Sequence, residues 1–323
     1  MVQSAAHHKE TTPVYALGID VGGTKIDAVL IDGDARIHAE AVLPTGALDG
    51  TDAVIDRIAQ LIWQLLREAG DRRVIGIGIG TPGQVDAQLG VARAAINLGW
   101  ADVPVLAKVR ERLPDLPPLA LANDVNALAL GEYRFGAAQG ARNLVYLALG
   151  TGLGGASIVE GRVTEGANGF AMEVGHMALN PNGRECVCGL RGCPEIYASG
   201  VGLMAGVDEY IRDYPETVLR SQATVSTPAI LNAARDGDPL AMRLFNEAAE
   251  MLGQVMVVCA ATLNPDVFAI GGGLGKAAAD LLLPVAETYF ATHLLYPAVE
   301  RTRIVTASVE RASIGAASLV MGG

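Results

Sequence analysis

Three cysteines and a histidine crowd into one stretch, "HMALNPNGRECVCGLRGCPE", and their types and spacing are those of a metal site. His176, Cys186, Cys188 and Cys193 offer one borderline and three soft donors, a set suited to tetrahedral Zn²⁺. Four protein ligands close the coordination shell and leave no position for an activated water, so the metal is expected to organise a loop over residues 176–195 rather than do chemistry. A stretch this rich in Gly, Pro and Asn argues against thiols packed in a core. Cys259 stands alone in an apolar helical pattern and reads as core packing, so the cysteines are not a disulfide framework. Glu173 lies three residues before the ligand histidine and Glu195 two after the last cysteine, so the metal loop would hold both carboxylates near one another. Carboxylates, an Asn amide and an imidazole converging on one spot suit the recognition of several sugar hydroxyls. Either glutamate alone would read as an ordinary surface acid.

A second chemistry is carried by glycine. In "DVGGTK", Asp20 ends an apolar strand, Gly22 and Gly23 form a turn whose amides can approach an anion, and Thr24 and Lys25 follow. The acid would repel a phosphate unless a cation bridged them, so Asp20 is expected to orient hydrated Mg²⁺. The turn Gly150, Thr151 and Gly152 in "GTGLGG" repeats this chemistry in the second half of the chain. No Gly-Lys-Ser/Thr follows, which excludes a Walker A loop, and "ASIVEG" reads as a strand rather than the helix of a dinucleotide fold. Gly271, Gly272 and Gly273 in "GGGLGK" join a strand to a helix, as expected where an adenosine lies against bare backbone. A hairpin turn or a tight strand-to-helix turn is the plainer explanation of each motif by itself.

In "LANDVNALALGE" an apolar strand ends in Asn123-Asp124 and runs directly into an alanine-rich helix. Asn123 suits a helix cap and an ionised Asp124 gains from the first turn of the dipole. Asp124 could equally serve as a general base.

The elements that must position these residues alternate along the chain. Strand-like runs Val14 to Asp20, Ile26 to Ile31 and Arg36 to Val42 predict an antiparallel meander. A helix over Asp52 to Glu68, a Gly-rich strand Val74 to Gly80, a helix after Ala101 and a strand Leu119 to Ala122 predict a parallel extension of that sheet. The pattern restarts with strands at Asn143 to Leu149, Gly155 to Val159 and Arg162 to Thr164. A helix from Pro239 to Leu263, a strand Val267 to Ile270, a helix to about His293, a strand Arg303 to Thr306 and a final helix complete it. "LGIDVGGTK" and "LALGTGLGG" thus open two related α/β lobes facing a cleft. The expected domains are a small lobe over 13–122, with the last helix, about 309–321, packing back on it, and a large lobe over 123–308. With 323 residues, 50% of them hydrophobic, the chain can bury a large core. A net charge of -11 without a dense Lys/Arg run argues against nucleic acid as a partner. The longest apolar run, Val255 to Leu263, is too short to cross a bilayer, and the first dozen residues lack a signal-peptide core and read as a loose leader, so the expected location is cytoplasmic with no membrane partner.

The motifs "DVGGTK", "TPGQVD", "NLGW", "NDVNALALGE", "GTGLGG", "EVGH", "CVCGLRGCPE" and "GGGLG", in this order, resemble those of the ROK family (repressors, open reading frames, kinases) of the hexokinase, heat-shock protein and actin superfamily. The resemblance runs from about Tyr15 to the last helix and implies two ribonuclease-H-like lobes around a cleft that takes sugar and nucleotide. It implies Asp124 as base on the sugar hydroxyl, with Asn123, Glu173, His176 and Glu195 binding the sugar and His176 serving Zn²⁺ as well. It implies an ATP-dependent hexose kinase acting at the 6-hydroxyl, glucose ranking first and an N-acetylhexosamine second, with polyphosphate as a rival donor and a dimer or tetramer as the assembly. Sugar binding should bring the lobes together and expel water before phosphoryl transfer. Repressors of the family resemble this chain but carry a winged helix-turn-helix before the sugar domain, and "DVGGTK" begins at Asp20, too early to leave room for one. A catalytically silent sugar sensor is the other reading, set against the intact Asp124 and both Gly-Thr turns.

Overall fold

The computed structural model describes residues 13–222, 224–294 and 301–322; the leader expected over the first dozen residues lies outside them. The chain divides into two units, one running to Ala122 and resuming at Ala312, the other Asn123–Arg311. The first contains β1 (Tyr15–Val21), β2 (Lys25–Asp32), β3 (Ile37–Pro44), α1 (Thr51–Ala69), β4 (Val74–Thr81), β5 (Gln84–Asp86), β6 (Val91–Ala95), β7 (Trp100–Val103), α2 (Val105–Arg112) and all but the last residue of β8 (Leu119–Asn123). The second contains α3 (Asp124–Phe135), β9 (Asn143–Leu149), β10 (Leu153–Val159), β11 (Arg162–Val163), α4 (Gly200–Tyr210), α5 (Thr227–Arg235), α6 (Pro239–Leu263), β12 (Val267–Gly271), α7 (Gly272–Ala277), α8 (Ala279–His293) and β13 (Arg303–Thr306). The chain then returns to the first unit as α9 (Ala312–Ser318).

The first sheet has the order β3-β2-β1-β4-β8, with β1, β2 and β3 antiparallel and β4 parallel to β1. Helix α1 lays a stripe of buried side chains (Val54, Ile55, Ile58, Leu61, Ile62 and Leu65) at helical spacing into the core that Leu17, Ile19, Ile77 and Ile79 share. The other face of the sheet explains the glycines of "VIGIGIGT". A Cβ on Gly78 would stand 1.8 Å from the Ala316 carbonyl, and one on Gly18 1.8 Å from that of Ser313, so α9 packs with its backbone against bare strand. Ser313 donates through its hydroxyl to buried Asp27 at 2.6 Å and fixes the helix in register.

The second sheet repeats the arrangement as β11-β10-β9-β12-β13: an antiparallel hairpin on one side, two parallel strands on the other. The duplication inferred from the two strand-turn motifs is thus visible in the strand order. Asp238 caps α6, accepting from Ala241 N–H at 3.0 Å, and Asn264, at φ 44°, ends it. The whole of α6 is long and apolar enough to cross a membrane, unlike the shorter run Val255 to Leu263 weighed above. Its apolar face, including Leu240, Leu244, Phe245, Leu252, Met256 and Cys259, is instead built into the unit's core against α8, whose Phe290 meets Phe268 edge to face at 5.5 Å. The small sheet β5-β6-β7 and helices α4 and α5 have no counterpart in the sequence reading, because the strands are short and "GVGLMAGVDEY" is too glycine-rich to signal a helix.

Candidate functional site

Asn123 does cap α3. Its Oδ1 accepts from the Val125 N–H at 2.9 Å and from the Asn126 N–H at 3.1 Å. Asp124 follows as the first helical residue, and its Oδ1 shares the Val125 N–H at 2.9 Å. Crowding by protein strips water from this carboxyl and raises it to about 6, against the opposing hydrogen bonds from Val125 and the Asn123 side chain. Above that pH the group is an anion, poorly hydrated and oriented by its neighbours, which is the state a general base requires.

The helix start packs on the hairpin between β9 and β10. A Cβ on Gly154 would stand 3.0 Å from Val125, so bare backbone admits α3 to the strand. Next to it, Leu153 N–H donates to Glu195 Oε2 at 3.0 Å, and a Cβ on Gly152 would come within 2.4 Å of the same oxygen. Gly175, between Glu173 and His176, would meet the Leu153 carbonyl at 2.3 Å if it carried a Cβ. Asn123, Asp124, Glu173, His176 and Glu195, all in the second unit, are thereby gathered around one hairpin. Glu195 holds the hairpin with one oxygen, a duty that its expected role in sugar recognition did not include.

Donor atoms of His176, Cys186, Cys188 and Cys193 lie within 4.8 Å of one another. His176 Nδ1 faces Cys186 Sγ at 3.6 Å, and Cys188 Sγ is 3.6 Å from Cys193 Sγ. Such separations match the edges of a tetrahedron with metal–sulfur bonds of about 2.3 Å, and the four donors fit Zn²⁺. The loop is shaped for it: Cys186 N–H donates to the Leu190 carbonyl at 2.9 Å and Gly189, at φ 88°, donates back to the Cys186 carbonyl at 2.9 Å. Arg184 braces the loop from behind, donating to Glu209, to Glu247 at 2.7 Å and to the Ile196 carbonyl at 3.2 Å. A cavity of 790 Å³ beside Arg184 is lined by none of the predicted site residues.

The three glycine turns differ in what the glycines are for. Gly150 N–H donates to the Gly152 carbonyl at 2.9 Å and Gly22 N–H to that of Lys25 at 3.0 Å, so the first amide of each hairpin closes the turn itself. Asp20, Gly22, Gly23, Thr24 and Lys25 belong to the first unit, where Thr45 pins their turn by donating from its hydroxyl to the Gly22 carbonyl at 2.6 Å. In the third cluster a Cβ on Gly271 would lie 2.0 Å from the Tyr146 hydroxyl, and Gly272, at φ 78°, crowds the Leu149 backbone, whereas Gly273 faces open space. Only Gly273 of that triplet offers bare backbone to a ligand. Gly273→Ala is therefore expected to keep the melting temperature of the natural protein and to weaken nucleotide binding, while Gly271→Ala loses on the order of 2 kcal/mol of stability. Thermal melts and nucleotide titrations of both variants check this; equal melting losses would count against it. Tyr146 was not singled out from the sequence, where it reads as one more apolar position of β9. Burial, with the charges of Glu132 and Asp124, pushes its hydroxyl well above the ordinary tyrosine value.

A doubled sheet with a Gly-Thr hairpin after the first strand of each unit defines a two-unit mixed α/β protein. The ROK family matches residues 16–322. A glucokinase of Halalkalibacterium halodurans is 33% identical over 86% of this chain and 86% of its own length. An N-acetylmannosamine kinase of Escherichia fergusonii is 31% identical over 95% of this chain and 98% of its own. Among solved structures, a ROK family glucokinase from Streptomyces griseus in complex with glucose and AMPPNP superposes with a TM-score of 0.77 at 31% identity, covering 96% of this chain and 100% of that one. The chain belongs to the ROK family.

Proposed function

We propose that this protein is an ATP-dependent hexose kinase that phosphorylates the 6-hydroxyl of glucose. The observation that carries the reading is Asp124, a carboxyl raised to about 6 at the start of α3, beside the hairpin that gathers Glu173, His176 and Glu195. The glucose and AMPPNP bound to the Streptomyces griseus relative support both substrates. In the proposed reaction the Asp124 carboxylate accepts the hydroxyl proton as the sugar oxygen bonds to the γ-phosphorus of ATP and the bond from that phosphorus to ADP breaks. Asn123, Glu173, His176 through Nε2 and Glu195 through Oε1 hold the sugar so that one hydroxyl reaches Asp124. The turns at Gly23 to Lys25, at Thr151 and Gly152 and at Gly273 receive the nucleotide. Asp20 orients hydrated Mg²⁺, which neutralises phosphate charge when bound. His176, Cys186, Cys188 and Cys193 would hold Zn²⁺, which when bound would keep His176 and Glu195 in place. Two ribonuclease-H-like lobes and a homo-oligomer in the cytoplasm accompany this reading.

The Escherichia fergusonii relative favours N-acetylmannosamine as the second candidate substrate. Release of ADP from Mg-ATP, measured with glucose, mannose, fructose, N-acetylglucosamine and N-acetylmannosamine, tests the proposal. Glucose is expected to give the highest kcat/KM. Preference for an N-acetylhexosamine would change the substrate, and hexose binding without turnover of any sugar would make the protein a sensor.

A further inference from the structure

Glu132 is a carboxylate with no exposed surface, near the C-terminal end of the helix that begins with Asp124. Burying such a group is costly unless its oxygens are satisfied, and here both are. Oε2 accepts from the Ala137 N–H at 2.9 Å and from the Ser308 hydroxyl at 3.4 Å, and Oε1 accepts from the Val309 N–H at 2.5 Å. Space is kept for it, since a Cβ on Gly136 would lie 2.0 Å from Oε2. Ser308 and Val309 are remote in sequence and stand just before the chain leaves the second unit at Arg311. The chain also enters this unit at Asn123, so one helix holds both ends of it: the first by the Asn123 cap, the second by Glu132.

The same segment reaches the glycine triplet. The Val309 carbonyl accepts from Lys276 Nζ at 3.3 Å, and Lys276 lies in the last turn of α7, which starts at Gly272. At the other end of α7 the Gly272 N–H donates to the Tyr146 hydroxyl, which the charges of Glu132 and Asp124 both influence. Through Lys276 and Val309, the turn of Gly273 is thus tied to the helix of Asp124 at Glu132.

We propose that Glu132 is a positioning residue, fastening the segment Ser308–Val309, and through Lys276 the Gly271–Gly273 turn, to the helix that presents Asp124. The inference rests on the reading of Asp124 as base and of that turn as a nucleotide contact. Phosphoryl transfer needs donor and acceptor aligned to a fraction of an ångström, so loosening this link should slow the transfer more than it weakens sugar binding.

The experiment compares the natural chain with Glu132→Gln and Lys276→Met, using Mg-ATP and the hexose the natural protein phosphorylates best. The amide of Glu132→Gln sets its NH₂ donor against either the Val309 N–H or the Ala137 N–H, neither of which can accept. Its kcat is expected to fall about tenfold or more with hexose Kd within about twofold, and Lys276→Met is expected to raise the KM for Mg-ATP about threefold. A folded Glu132→Gln variant with a lower melting temperature but unchanged kcat and KM would reduce Glu132 to a fold-holding role and overturn the proposal. Should Glu132→Gln not fold, unchanged kinetics in Lys276→Met, a surface substitution, would overturn it instead. Absence of turnover by the natural protein with every hexose would remove the kinase reading itself, an outcome distinct from either.

Discussion

Asp124→Asn is expected to lower kcat by about a thousandfold or more while hexose affinity changes by less than about fivefold. The amide keeps the shape and can still hydrogen-bond a hydroxyl, but it cannot take the proton, so the loss falls on the transition state. Calorimetric titration of hexose beside the ADP-release assay separates the two effects. A variant that kept a tenth of the natural turnover would show that Asp124 is not the base.

The same carboxyl sets the pH dependence. As the proposed base Asp124 would act only when ionised, so kcat/KM is expected to rise with pH through about 6 and then level off. Stability runs the other way. The folded state raises this carboxyl from 3.8, so between that value and about 6 it binds more protons than the unfolded chain does. Stability is therefore fully held below about 4, falls as pH rises through 6, and stays lower above it. With allowance for its partial exposure, the ionised group costs the folded state roughly 2 kcal/mol. Asp124→Asn removes that cost and should melt a few degrees higher than the natural protein at pH 8, but not at pH 4. Equal melting temperatures at pH 8 would mean that the carboxyl is not raised.

Loss of the proposed zinc has the second large expected effect. Cys193→Ser, or removal of the metal by a chelator, is expected to weaken hexose binding by about tenfold to a hundredfold, with nucleotide binding in the absence of sugar within about threefold. The reason is local. His176 faces Cys186 through Nδ1, and Glu195 lies two residues beyond Cys193, in the short helical turn Pro194–Ile196. Without a metal to gather the donors, the turn bearing Glu173 and His176 and the turn bearing Glu195 lose their common anchor. Metal analysis of the purified protein, followed by calorimetric titration with hexose before and after chelation, measures this. Unchanged hexose affinity in zinc-free protein would separate the loop from sugar recognition.

Much of the architecture could be read along the chain because it depends on neighbours in sequence. The three strands of the first meander, the apolar stripe of α1, the bounds of α6, the cap at Asn123 and the donors His176, Cys186, Cys188 and Cys193 all follow from local spacing or residue chemistry. The first Gly-Thr turn and its repeat were visible for the same reason. What the glycines accomplish was not, because a missing side chain does not say which element fills its place. Gly18 and Gly78 admit the backbone of α9, Gly152 admits the Glu195 carboxylate, and Gly271 admits the Tyr146 hydroxyl.

The buried polar groups divide in the same way. Glu132 looks like any charged helix residue until the chain brings Ser308 and Val309 to it, and Tyr146 like any apolar strand position until α7 begins beside it. Sequence by itself determined which residues could cap a helix, ligate a metal or cradle an anion, since those capacities reside in the side chain and its immediate neighbours. Tertiary structure decided which carboxylates lose their water and which backbone groups they meet. Desolvation and hydrogen bonding between distant segments exist only once the chain has closed on itself.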